Sequence, residues 1–260
     1  MQGSKSKLLR FFLTWLVFIS AFVLTFNAQA ASELKIAVAN NFYVPMQKLA
    51  ADYEAQHNIK VTLSTGSSGQ LATQIDHGAP FDLFFSADQA RPTYLEEQGK
   101  AEKRFSYAMG TLVLWSQSAD WAEPSPNEPL KLSGRVAMPE PAVAPYGAAA
   151  KAFMQNIGIY QANEKRFIYG KGLNATYQFA ATGNSQFAFL ALSQVLNPES
   201  TLDGRYWVVP SDSYPNILQD AVLIKSTRNR DSAQDFIDFI HSPQAQSIIT
   251  DFGYSIPGGA

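Results

Sequence analysis

The chain contains no cysteine. That absence excludes disulfide staples, thiolate metal sites and a cysteine nucleophile, and it excludes the lipid-modified cysteine that tethers many secreted bacterial proteins. Histidine is scarce. The three present, His57, His77 and His241, lie beside polar helix ends or a glycine, so all three read as surface positions. A Ser68–His77 pair would lack the third group that orients a catalytic triad. No G-x-x-x-x-G-K-[ST] occurs, so the chain does not hydrolyse ATP through a P-loop. Positive charge is not in excess either: the net charge is −2. No general field therefore attracts nucleic acid or anions, and any anion site must be built locally from aimed donors. No spacing of tyrosine, histidine and carboxylates suits a ferric ion.

Long apolar runs are missing except at the start. Lys5, Lys7 and Arg10 precede an apolar stretch from Phe11 to Phe26, and Ala28-Gln29-Ala30 follows as a small-x-small cleavage pattern. The run is shorter than the ~20 residues that a membrane span needs. Residues 1–30 are therefore expected to be a cleaved secretory signal, and the mature protein to be free in the periplasm. Cleavage takes three positive charges and moves the net charge from −2 to −5. The 230 residues that remain suffice for one or two domains with a sizeable core.

Strand and helix signals alternate along that length. Strands are expected at Leu34–Ala39, Ile59–Ser64, Phe81–Phe85, Tyr107–Trp115, Arg135–Met138, Arg166–Tyr169, Phe187–Leu192, near Trp207 and at Ala221–Ile224. Helices are expected between most of them, with Gly78, Gly99, Gly158 and Gly253 as stops. A Pro-rich loop occupies residues 122–129. This is the pattern of an α/β protein with mainly parallel sheets flanked by helices. Two long apolar strands, Tyr107–Trp115 and Ala221–Ile224, bracket a middle block with its own strand–helix series. They predict two lobes: residues 31–108 with 222–260, and residues 109–221. Ligands bind between such lobes, at the carboxyl ends of the strands.

Four strand-to-helix junctions fall there. They are Asn40-Asn41, Ser67-Ser68-Gly69, Pro145-Tyr146-Gly147 and Gly172-Leu173-Asn174, two in each expected lobe. Each offers amide or hydroxyl donors, free backbone N–H groups at a helix start, or both. Alone, each reads as a cap or a turn. Converging, four helix N-termini carry a partial charge of roughly +0.5 each, enough to offset a dianion without lysine or arginine. Lys171 is the only cation near a junction and reads as solvated. No Asp or Glu stands in the four junctions to accept a proton from phosphate. Sulfate, fully ionised, stays open as an alternative ligand.

Five motifs then carry a resemblance across essentially the whole mature chain. Ile36-Ala37-Val38-Ala39-Asn40-Asn41-Phe42, Ser64-Thr65-Gly66-Ser67-Ser68-Gly69, Gly78-Ala79-Pro80-Phe81-Asp82-Leu83-Phe84-Phe85-Ser86-Ala87-Asp88, Ala144-Pro145-Tyr146-Gly147 and Phe252-Gly253-Tyr254 resemble the periplasmic molybdate-binding proteins of ABC importers. The resemblance implies a two-lobed periplasmic-binding-protein fold with two inter-lobe crossovers. It implies a binding protein rather than an enzyme, with no cofactor and with metal held only as the oxyanion. Molybdate or tungstate would be bound by neutral donors from Asn40, Asn41, Ser68, Tyr146 (through its N–H) and Leu173. It implies delivery to a membrane permease by a protein acting as a monomer.

Overall fold

The computed structural model describes residues 32–124 and 130–258. The expected signal, residues 1–30, and most of the Pro-rich loop lie outside them. Ten strands form two five-stranded sheets. The first contains β1 (Ser32–Ala39), β2 (Ile59–Gly66), β3 (Leu83–Phe85), β4 (Ala101–Gly110) and β10 (Ile217–Ile224), in the order β2-β1-β3-β10-β4. The second contains β5 (Leu112–Ser116), β6 (Val136–Pro139), β7 (Phe167–Gly170), β8 (Phe187–Ala191) and β9 (Arg205–Val208), in the order β7-β6-β8-β5-β9. Helices α1 (Tyr43–Gln56), α2 (Ser68–Asp76), α3 (Ala90–Glu97), α8 (Arg230–Ile240) and α9 (Pro243–Asp251) flank the first sheet. The intervening α4 (Pro145–Asn156), α5 (Tyr160–Asn163), α6 (Leu173–Ala181) and α7 (Leu192–Val195) belong with the second.

Period-two alternation explains the first sheet. Ile36, Val38, Leu83, Phe85, Ala221 and Leu223 face one core with α1, α8 and α9; Ala37, Phe84, Val222 and Ile224 face another with α2 and α3. With both faces covered, these strands read as continuous apolar runs. The second sheet has one extended core around Val113, Met138, Phe153, Phe189 and Leu190.

The sheets are mixed. β1 and β3 are parallel, as are β6 with β7 and with β8, but β10 runs antiparallel to β3 and β4, and β5 antiparallel to β8 and β9. The antiparallel strands are those at the crossovers, which leave one sheet for the other without an intervening α-helix. The single strand expected at Tyr107–Trp115 is two, β4 and β5, in different sheets and parted only by Thr111. The chain returns between Val208 and Ile217, so all of β10 pairs in the first sheet. Sheet membership changes at Thr111 and between Val208 and Ile217, whereas the apolar runs put the divisions at 108/109 and 221/222. Among the described residues no helix is long and apolar enough to cross a membrane.

Candidate functional site

In each sheet one strand, β1 or β6, lies between the strand that follows it and a later one, which leaves a crevice at its carboxyl end. The two crevices face each other. Between them is a small cavity, about 10 Å³, lined by Ala39, Asn40, Asn41, Ser67, Ser68 and Ala87 from the first lobe and Ala144, Pro145, Tyr146 and Leu173 from the second. All five residues expected at a site are therefore brought to one cavity. No lining residue carries a charge. Larger surface depressions exist elsewhere, one over α4 and α5 and one near Asp82. They lack this convergence of helix starts.

The serine turn divides two duties between two hydroxyls. Ser67 is the N-cap of α2: its Oγ accepts from the N–H of Gln70 at 3.4 Å, and the Gln70 side chain returns to Ser67, completing a capping box. Ser68 is thereby spared. Only 1 % exposed, its Oγ accepts from the N–H of Ala87 at 2.9 Å. Among the described residues its own proton has no acceptor. A buried hydroxyl fixed by an accepted bond, with an uncommitted proton, is a donor waiting for an acceptor. Replacing Ser68 with alanine is expected to weaken oxyanion binding by ~1.5–3 kcal/mol, roughly 10- to 150-fold, the worth of a hydrogen bond to a charged group. The capping box on Ser67 keeps the helix start, while the buried Ala87 N–H left without its acceptor should cost ~1–3 kcal/mol of stability. Equal affinities for the variant and the native protein, by titration calorimetry, would remove Ser68 from the site.

Backbone donors complete the shell. Helix α4 starts at Pro145 and α6 at Leu173. Tyr146 and Leu173 therefore lie in first turns, where an N–H has no intrahelical partner. No other backbone carbonyl among the described residues takes the N–H of Ser68, Tyr146 or Leu173, nor those of Asn40 and Asn41 at the short 3₁₀ turn after β1. Pro145 at the first position is preset for the helix and has no N–H to lose.

The side chains of Asn40 and Tyr146 are engaged elsewhere. Asn40 donates its amide to Thr65 Oγ1 at 3.1 Å. The Tyr146 phenol accepts from Gln219 Nε2 at 3.4 Å. Burial holds that phenol well above the ordinary tyrosine range, so it stays protonated. Asn41 is 2 % exposed and donates to Gln219 Oε1 at 2.8 Å and to the Tyr254 hydroxyl at 3.0 Å. Sequence reasoning assigned no role to Gln219. The signal was there: Gln219-Asp220 interrupts the apolar run of β10 and is fully buried.

The lobes touch across the cavity. Gly69 N–H donates to Val143 O at 3.2 Å, Arg91 to Ala142 O at 3.0 Å, and Ser193 Oγ to the Asn41 carbonyl at 2.8 Å. His57, His77 and His241 are exposed and away from the cavity, and Lys171 is exposed as expected. Among the described residues no three His, Cys, Asp or Glu side chains cluster as a metal site. The arrangement is a small, buried, uncharged cavity rich in donors that the protein does not use.

Residues 34–255 match the family of bacterial extracellular solute-binding proteins. The chain is 42% identical over 229 residues to a molybdate-binding protein of Rhodobacter capsulatus, covering 86% of this chain and 89% of the relative. It is 37% identical over 244 residues to the molybdate-binding protein of Azotobacter vinelandii, covering 92% and 96%. The solved Azotobacter vinelandii periplasmic molybdate-binding protein superposes with a TM-score of 0.81 at 33% identity, over 86% of this chain and 99% of that one. Relatives of this kind are binding proteins rather than enzymes. The chain belongs to the bacterial extracellular solute-binding proteins, in the family of the periplasmic molybdate-binding proteins.

Proposed function

We propose that this protein captures molybdate, and tungstate of the same shape and charge, in the cavity between its lobes and delivers it to the permease of an ABC importer. It does so in the periplasm, as a monomer freed from residues 1–30. The lobes are built on the two sheets, the first on β1–β4 with β10 and the second on β5–β9, and they move about the two crossovers. The observation that carries the reading is the lining of the cavity: uncharged, buried, and supplied with the Ser68 hydroxyl and N–H groups from helix starts of both lobes. Asn40, Asn41, Ser68, Tyr146 and Leu173 hold the anion. A fully ionised tetrahedral dianion accepts at every oxygen, so a shell of donors alone satisfies it. A protonated oxyanion would find no carboxylate in the lining to take its O–H.

The order of events follows from the geometry. The anion meets the donors of one lobe while the cleft is open. Closure adds the donors of the other and removes water, which strengthens each charge-assisted bond. The inter-lobe bonds of Gly69, Arg91 and Ser193 then mark the loaded state by bringing surfaces of both lobes together. A permease that reads both lobes at once distinguishes it from the open one.

Binding confined to the folded state must raise thermal stability. Molybdate at 100 times its dissociation constant adds ~2.7 kcal/mol, a rise of roughly 5–11 °C for a chain this long. A melting curve with sodium molybdate against sodium chloride at equal ionic strength reads it. A melting temperature that ignores molybdate overturns the proposal.

A further inference from the structure

The amide of Asn41 presents a conflict at the edge of the cavity. Its Nδ2 gives its protons to Gln219 Oε1 and to the Tyr254 hydroxyl, neither of which lines the cavity. Its Oδ1 is buried and has no hydrogen-bond partner. A carbonyl oxygen beside an oxyanion repels it, whereas the other end of the same amide would bind it.

Behind Asn41 lies a polar cluster that can reverse this. Gln219 is fully buried on β10, at a register shift of the β10–β4 ladder, the kind of irregularity that re-aims a side chain. Its Oε1 accepts from Asn41 Nδ2 and stands 2.9 Å from the Tyr107 hydroxyl, which also reaches the Ser86 carbonyl at 2.8 Å. Its Nε2 donates to the Tyr146 hydroxyl. The oxygen and nitrogen of an amide are nearly the same size, so both amides can turn through 180° while every heavy-atom distance is kept. After the turn, Gln219 Nε2 donates to Asn41 Oδ1 and to the Tyr107 hydroxyl, and Tyr107 gives its proton to the Ser86 carbonyl. Gln219 Oε1 accepts from Tyr146. Tyr254 turns its proton from the Asn41 main-chain carbonyl, 2.8 Å away, to Asn41 Oδ1, and Ser193 keeps its own bond to that carbonyl. The unpaired oxygen is gone, and an NH₂ group stands in its place. Burial keeps the phenols of Tyr107, Tyr146 and Tyr254 protonated, so they remain able to donate.

We propose that Gln219 is a positioning residue for the anion: by donating to Asn41 Oδ1 it holds the Asn41 NH₂ toward the cavity, and the two amides turn together when the oxyanion binds. The proposal rests on the oxyanion reading of the cavity and adds to it a residue outside the cavity that sets the polarity of its lining.

Nuclear Overhauser spectra of the protein, labelled with ¹⁵N at its side-chain amides and saturated with sodium molybdate, read the orientation directly. The Gln219 NH₂ protons are expected to show cross-peaks to the Tyr107 ring, and the Asn41 NH₂ protons to lose theirs to the Tyr254 ring. Gln219 protons that stay against Tyr146, with Asn41 protons still against Tyr254, overturn the inference. Calorimetry on variants gives a second reading. Gln219→Met, which frees the Asn41 amide, is expected to weaken molybdate binding about 10-fold. Gln219→Glu, which can only accept and so pulls Asn41 Nδ2 back, is expected to weaken it at least 100-fold. A folded Gln219→Met variant with native affinity overturns the positioning role; where that variant does not fold, the spectra of the native protein decide. A native protein that does not bind molybdate at all fails the oxyanion reading itself, whereas one that binds with its amides unturned fails only this inference.

Discussion

Asn41→Asp is expected to abolish oxyanion binding, lowering affinity at least 1,000-fold, about 4 kcal/mol. Two effects act in the same direction. The carboxylate cannot donate, so a hydrogen bond to the anion worth ~1.5–3 kcal/mol is lost. It also places a negative charge in a cavity with no cation to offset it. Two unit charges about 4 Å apart repel by about 4 kcal/mol at an effective dielectric of 20, and a dianion feels this twice. Asn41→Ala separates the terms, because it removes the amide without adding charge, and should lose only ~10- to 150-fold. Titration of both variants with molybdate, beside circular dichroism to show that they are folded, checks the ranking. An aspartate variant binding within 10-fold of the native protein would place the Asn41 side chain away from the anion.

Gly147→Ala carries the second large effect, through space rather than charge. A Cβ at position 147 would lie 2.1 Å from the Pro139 carbonyl oxygen and 2.8 Å from the Pro139 carbonyl carbon. Both are main chain at the end of β6 and cannot rotate aside. The first turn of α4 must therefore move off the strand, and it takes the Tyr146 N–H with it. Overpacking of this kind costs about 1–3 kcal/mol, a fall in melting temperature of roughly 2–12 °C for a chain of this size. Donors must sit within about 0.5 Å of their places to serve, so molybdate affinity should fall as well, by about 10-fold or more. A Gly147→Ala protein with native melting temperature and affinity would show that the close approach of α4 to β6 does not hold the site together.

Much of this was legible because it is local. Each junction, Asn40-Asn41, Ser67-Ser68, Pro145-Tyr146 and Gly172-Leu173, is a strand end followed by a helix start, and both signals lie within a few residues. Ser67 and Ser68 could not be told apart by propensity, since either can cap; the division of labour needed the positions of Gln70 and Ala87. What stayed hidden is non-local. Gln219 and Tyr254 lie 178 and 213 residues from Asn41, and no periodicity ties them to it. The break at Thr111 carried a faint mark. Gly110-Thr111 interrupts the apolar run Tyr107–Trp115 where one sheet hands over to the other, but a Gly-Thr pair also occurs inside strands and does not by itself signal a change of sheet. The antiparallel course of β5 and β10 follows from the same crossovers, and apolar runs do not encode strand direction.

The central claim is that the cavity holds a fully ionised tetrahedral dianion with neutral donors alone. Titration calorimetry of the protein with molybdate, tungstate, sulfate and phosphate at one pH and ionic strength tests it most directly. The account predicts one saturable site, with molybdate and tungstate bound at least ~100-fold more tightly than sulfate or phosphate, a gap of about 2.7 kcal/mol. Phosphate binding as tight as molybdate would contradict it, because the shell described here has no carboxylate to accept the phosphate proton.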